Sequence, residues 1–307
     1  MCGLFGLVRN SAATHPQRAS TALTLLGRLA QERGLDASGL AFLRTQTSAP
    51  DAFDGEQCLA AKSDITLDGC RIVKRVGSFR RLWRPTLSHD LDRAAIVIGH
   101  TRWATQGSAT RLSNAAPLLA GSIVGTHNGD IDAFDLRMRY GLPRSADQTD
   151  SQAIFEALAE ADPLEVLRDL RGRAALAWAD LDHPRHLYLA RAALSPLAVA
   201  TDDEGNLFWA SNPGWLRTVA KQTFVRMNAP VMLPEGTWLV IRRAKTAVTI
   251  SSCTSFIPTA RARDVTARVA TWVWRGFTTR DRLTDQAQIR HTIADDDPPR
   301  WLFSHAS

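Results

Sequence analysis

Cys2-Gly3-Leu4-Phe5-Gly6-Leu7-Val8 opens the chain directly behind Met1. The apolar run from Leu4 to Val8 reads as a short buried strand, and the residue just before it carries a thiol. If Met1 is removed, residue 2 presents a free α-amine next to that thiol. An α-amine titrates at about 7.7–8.0, so a useful fraction is unprotonated at neutral pH. A thiol attacks as the thiolate and needs a base to form it. One residue then holds both nucleophile and base, a recognised way of activating a nucleophile. Cysteine is equally a common core residue, so the position decides nothing until the rest of the chain is read.

Working outward, residues 19–30 have helical spacing, with Leu23, Leu25, Leu26 and Leu29 largely on one face, and Gly34 stops that helix. Residues 39–43, 58–61, 94–99 and 122–126 read as strands, the last ending at Asn128-Gly129. Residues 150–161 form an amphipathic helix. The pattern then turns to strands at 174–179, 186–190, 197–201, 207–211, 237–242 and 247–251, with a turn at 203–206 and a short helix over 213–219. Helices set apart from runs of strands predict a layered α+β fold. No glycine-rich phosphate loop follows a strand.

Composition bounds the function. The 307 residues hold one large or two smaller domains. Strand alternation fades near Ser255, which predicts a domain over 2–254 and a tail over 255–307, partly ordered or an interaction arm. Trp272, Trp274 and Trp301 argue against complete disorder in that tail. No apolar run reaches the ~18 residues of a membrane span, and no signal peptide is visible. Four cysteines lack paired spacing, so neither a metal site nor a disulfide framework is expected. A free working thiol fits a reduced cytoplasmic compartment. The net charge of +6 is spread as arginine along the chain, without a dense basic block or RNA-binding aromatic motif. It reads as a solvated surface, not a nucleic-acid site.

Four segments call for one explanation: Cys2; Arg33-Gly34-Leu35-Asp36-Ala37-Ser38-Gly39; Gly99-His100-Thr101-Arg102-Trp103-Ala104-Thr105-Gln106-Gly107; and His127-Asn128-Gly129-Asp130-Ile131, followed by Thr149-Asp150-Ser151. Singly, each has a bland reading. Arg33-Gly34 fits a helix C-terminus with a left-handed glycine, Asn128-Gly129 is the strongest short hairpin signal, and Asp150 fits a helix N-cap.

Together, in this order, they resemble the class II glutamine amidotransferases, most nearly the glutaminase domain of glucosamine-6-phosphate synthase in a stand-alone form. Ala190-Arg191, Ser195-Pro196-Leu197, Phe208-Trp209-Ala210-Ser211 and Glu235-Gly236 extend the resemblance to about residue 250. It implies a four-layer αββα sandwich of two stacked antiparallel sheets, the N-terminal nucleophile hydrolase fold.

The resemblance also implies roles. Cys2 would attack the amide carbon of glutamine and form a γ-glutamyl thioester, with Asn128 and Gly129 as oxyanion donors. Arg102 and Thr105, with Gln106 nearby, would take the α-carboxylate, and Asp150 the α-ammonium. Trp103 would shield the thiol, while Arg33 and Gly34 would hold the surrounding loop. No cofactor is implied. Gln106 stands where the synthase usually has His, and Asp130 and Asp132 stand where less acidic residues are usual, so substrate preference is open. Three functions follow: a glutaminase supplying ammonia to a separate synthase or ligase, a self-sufficient amidohydrolase of another γ-glutamyl amide, or a non-catalytic partner-binding protein.

Overall fold

Fourteen strands and seven helices are present among the residues that the computed structural model describes, namely 2–44, 63–67, 69–143 and 149–259. The strands are β1 (Gly3–Val8), β2 (Ala37–Leu43), β3 (Asp64–Leu67), β4 (Cys70–Val76), β5 (Ile96–Arg102), β6 (Leu118–Ala120) and β7 (Ile123–Ile131). They continue with β8 (Gly172–Asp180), β9 (His186–Ala193), β10 (Ala198–Thr201), β11 (Leu207–Ala210), β12 (Val231–Met232), β13 (Thr237–Arg243) and β14 (Val248–Ser255). The helices are α1 (Pro16–Ala30), α2 (Phe79–Leu82), α3 (Ser88–Arg93), α4 (Ala133–Tyr140), α5 (Asp150–Glu160), α6 (Pro163–Asp169) and α7 (Pro213–Gln222).

All the strand pairings are antiparallel, in two sheets. The first runs β12-β10-β11-β1-β5-β2-β4-β3, the second β14-β13-β9-β8-β7-β6. Side-chain alternation gives each sheet two apolar faces. Val8, Ile96, Ile98, Val124, Ala175 and Trp209 fill the space between the sheets. Phe5, Leu7 and Val97 pack outward against α1, α2, α3 and α7. Ile123, Ile131 and Trp178 pack outward against α4, α5 and α6. The result is the four-layer αββα sandwich.

Local chemistry sets the helix ends. Pro16 starts α1, and Leu23, Leu26 and Ala30 recur on its buried side. Asp162 accepts from the amides of Leu164 and Glu165 to cap α6. Asp132 likewise accepts from the Asp135 amide and caps α4, which is where its acidity is used. Gly141, at φ 63°, closes that helix in the left-handed conformation.

Two expectations need correction. Asn128-Gly129 does not turn a hairpin: β7 runs straight through both, paired in unbroken register with Ala175 and Ala174 of β8. Gly34 is not left-handed: α1 gives way to a 3-10 turn at Gln31–Arg33, and Gly34 is extended at φ −170°. The strand expected at 58–61 lies outside the described residues, as does the chain beyond Thr259. Phe256, in the stretch read as a partly ordered tail, is buried among the outer core residues, and its amide donates to Gly236 O at 2.8 Å.

Candidate active site

Three strands carry a shift from apolar to polar residues toward one end of the space between the sheets. Along β5 the side chains facing the opposite sheet are Ile96, Ile98, His100 and Arg102. Along β7 they are Val124, Thr126, Asn128 and Asp130. Along β1 they are Val8 and Leu4, with Cys2 just before the strand. Register aligns the ends, since Gly3 pairs with Thr101 and Arg102 with Ala37. The sandwich therefore brings Cys2, Arg102, Asn128 and Asp130 together.

The Cys2 main-chain nitrogen donates to Asn128 Oδ1 at 3.1 Å. Asn128 is wholly buried, and its Nδ2 has no partner among the described residues. Cys2 Sγ lies 3.6 Å from the carbonyl oxygen of Trp103, so the Trp103 backbone meets the thiol while the residue as a whole is 39% exposed. Arg33 Nε donates to Cys2 O at 3.0 Å and fixes the Cys2 peptide.

Gly34 allows two loops to meet. A Cβ there would lie 2.4 Å from the carbonyl carbon of Arg102 and 2.7 Å from the Trp103 nitrogen. Asp36 ties the same junction: its amide donates to Arg102 O at 3.0 Å, and its Oδ2 accepts from Ala104 N at 2.7 Å. Sequence reasoning assigned Asp36 no role. Its presence in the motif was the available signal.

Arg102 shapes the loop that follows it. One terminal nitrogen donates to Ser108 O at 2.8 Å, the other to Gln106 O at 2.6 Å. Burial pushes its pKa down, while the charges of Cys2, Asp36 and Asp150 push it up. Thr105, half-buried in that loop, makes no hydrogen bond among the described residues. The Gln106 amide donates to Asp130 Oδ1 at 2.5 Å.

Gly129 sits where no other residue fits, since a Cβ would lie 1.8 Å from Arg173 O. The Ile131 amide donates sideways to Asp150 Oδ2 at 3.0 Å. Alternation turns the Gly129 amide toward that same edge, beyond the three-residue reach of β6. Asp150 is buried at the first residue of α5, and burial pushes its pKa up to about 6. Asp130 also rises to about 6, through burial and then the nearby Asp150 charge.

Two buried histidines brace this end. His100 Nε2 donates to His127 O at 3.2 Å and links the sheets. His127 Nε2 donates to Arg173 O at 3.2 Å, leaving Nδ1 to accept from Ser151 Oγ at 3.0 Å. Burial lowers His100 to about 3 and His127 to about 4. His127 is therefore neutral although its Nδ1 is 3.9 Å from Asp150 Oδ2. Neither histidine was assigned a role from sequence.

The downstream motifs act as clamps. Ser211 N donates to Leu4 O at 2.9 Å, and its hydroxyl accepts from Leu4 N at 2.9 Å. Arg191 reaches Ser195 O at 3.1 Å and Leu233 O at 2.6 Å, and Glu235 accepts from the Leu194 amide. Among the described residues Cys2, Cys70 and Cys253 are free thiols, and no helix is long and apolar enough to cross a membrane.

No protein-family model matches the chain. It is 34% identical over 229 residues to glutamine–fructose-6-phosphate aminotransferase (isomerizing) of Streptomyces coelicolor, covering 69% of this chain and 32% of that protein. The enzyme of the same name from Thermus thermophilus is 32% identical over 246 residues, covering 76% and 35%. The chain thus spans about a third of the length of the curated relatives it matches. Among solved structures, glutamine phosphoribosylpyrophosphate amidotransferase from B. subtilis superposes with a TM-score of 0.56 at 16% identity, over 83% of this chain and 49% of that one. That likeness shows a shared fold. With the ordered motifs, the two stacked sheets and these relatives in agreement, the chain belongs to the class II glutamine amidotransferases.

Proposed function

We propose that this protein hydrolyses the side-chain amide of glutamine through Cys2 and delivers the ammonia to a separate synthase or ligase. The observation that carries the reading is the Asn128 amide, whose Oδ1 accepts from the Cys2 nitrogen at 3.1 Å while its buried Nδ2 has no partner among the described residues. Once Cys2 is the first residue, that nitrogen is an amine. Asn128 Oδ1 then orients it, and its lone pair takes the thiol proton directly or through water.

Sγ attacks the amide carbon and the carbonyl electron pair moves to oxygen. Asn128 Nδ2 and the Gly129 amide are the donors for that oxyanion, fixed before the reaction begins. The protonated amine returns its proton to the leaving nitrogen, ammonia departs, and a γ-glutamyl thioester remains. Water activated by the same amine attacks the thioester, releasing glutamate and the thiol. No cofactor enters these steps.

At the other end of the substrate, the guanidinium N–H groups of Arg102 not committed to its loop, with the Thr105 hydroxyl, would hold the α-carboxylate. Asp150 would hold the α-ammonium. A reducing compartment such as the cytoplasm would keep the thiol free. The tail over 255–307 is proposed as the element that docks the acceptor enzyme.

The test is glutamate release by the purified protein against its Cys2→Ala variant, with intact mass measured on the same samples. Release that requires Cys2, from protein lacking Met1, supports the mechanism. Equal release from Cys2→Ala would end it.

A further inference from the structure

Asp130 is a carboxylate that these steps do not use. It lies one pleat beyond Asn128 on the face of β7 turned toward Cys2 and Arg102. It is buried, and Gln106 holds its Oδ1 from the loop that Arg102 shapes. Asp150 is close enough for its charge to be felt at Asp130.

A second observation points to a ligand here. The Thr149 hydroxyl is buried without a partner among the described residues. Thr149 holds the N-cap position of α5, where a hydroxyl ordinarily accepts from the first helix amides, yet it makes no such bond. Its methyl group packs toward Gly107, so this residue sits between Asp150 and the Arg102 loop. Buried polar groups left unsatisfied are rare and call for a partner. The adjoining carboxylates make that partner a cation.

Resting on the glutamine reading above, we propose that Asp130, held by Gln106, is a second carboxylate for the substrate's α-ammonium, and that it makes a free amino group a requirement of this site. An ammonium offers three N–H donors. Asp150 and the Thr149 hydroxyl, both at the start of α5, and Asp130 on β7 are three acceptors on two segments. A substrate without the amine, or with it acylated, leaves two desolvated carboxylates that share only the charges of Arg173 and Arg102. The role is one of specificity, since Asp130 acts at the end of the substrate remote from the bond that breaks.

The experiment measures binding by calorimetry to the Cys2→Ala protein, so it does not depend on turnover or on an acceptor enzyme. The probes are L-glutamine and glutaric acid monoamide, which lacks the α-amine. Adding Asp130→Asn should weaken L-glutamine by at least about tenfold, the scale of one charge-assisted hydrogen bond, and leave the monoamide unchanged. Gln106→Leu, which frees Asp130 to turn, should cause a smaller loss, again for L-glutamine alone. If both probes weaken equally, or neither changes, Asp130 does not select for the amine and the proposal is overturned. If L-glutamine does not bind the folded Cys2→Ala parent, and the wild type releases no glutamate, the glutamine reading has failed and this inference falls with it.

Discussion

The Cys2 main-chain nitrogen and Asn128 Oδ1 meet at 3.1 Å across 126 residues of sequence. One amide thereby divides its two ends: oxygen toward the Cys2 nitrogen, and a buried Nδ2 without a partner among the described residues. The two ends can be separated by mutation. Asn128→Ala removes both and should lower kcat for glutamate release by about 10²–10³ with little change in KM. Asn128→Asp keeps an acceptor for the amine but places a negative group where the oxyanion forms. Its kcat should fall at least as far, while Cys2 still aligns with its base and reacts with small alkylating agents. Loss of Cys2 alkylation in Asn128→Asp would show that the residue positions the nucleophile and does no more.

Gly34 offers a test of the loop junction. A methyl group there would stand 2.4 Å from the Arg102 carbonyl carbon, a contact with backbone that cannot rotate away. Gly34→Ala should destabilise the fold by about 1–3 kcal/mol, the usual cost of overpacking, and lower kcat/KM more than tenfold, since displaced Arg102 and Trp103 misplace the substrate. Thermal melts and steady-state kinetics on one preparation check both. A variant with native kinetics would mean that the junction has slack.

The alternation that builds the core also announces the site. Ile96, Ile98, His100 and Arg102 occupy every second position of β5, so one strand reads apolar and then polar on a single face. The same holds for Val124, Asn128 and Asp130 on β7. What sequence could not give was the meeting of those faces, which depends on the order of strands in two sheets. Asn128-Gly129 misled for a physical reason. The dipeptide suits a tight turn, but its glycine is needed because Arg173 O leaves no room for a Cβ. Gly34 misled likewise: close approach, not a left-handed conformation, requires it. Asp36, His100 and Thr149 escaped because their hydrogen bonds, or the want of one, exist only after the chain folds back on itself.

On the proposed reading, Asp150 sets an acid limit on substrate binding. Its charge reaches Asp130 and Arg102, and neutral His127 lies alongside it. With its pKa pushed up to about 6, it loses charge as pH falls through that value. kcat/KM for glutamine should therefore decline below about pH 6, through KM, and Asp150→Asn should raise KM throughout and weaken this limb, leaving the part that Asp130 carries. Stability moves the other way. A carboxyl whose pKa is higher in the fold than the ordinary 3.8 binds its proton more tightly when folded. Its cost is full above about pH 6 and vanishes below about pH 4. Asp150→Asn should thus be more stable than wild type at pH 7, by on the order of 2 kcal/mol, with the gap closing as pH falls. A constant gap across that range would contradict the assignment.

Ser211 holds the strand that follows Cys2. Its amide and hydroxyl both engage Leu4, two residues from Cys2 and one beyond the β1–β11 register that begins at Phe5 and Ala210. Ser211→Ala deletes only the hydroxyl. The Leu4 amide, buried away from water, then loses its acceptor, a loss of about 1–3 kcal/mol. Because the end of β1 is also the base on which Cys2 rests, the strain should surface in catalysis. A several-fold fall in kcat is expected at a temperature where the variant is still fully folded. Ser211→Thr, which restores a hydroxyl, should recover kcat if its methyl is accommodated. A stability loss in Ser211→Ala with unchanged kcat would show that β1 keeps its place without this clamp.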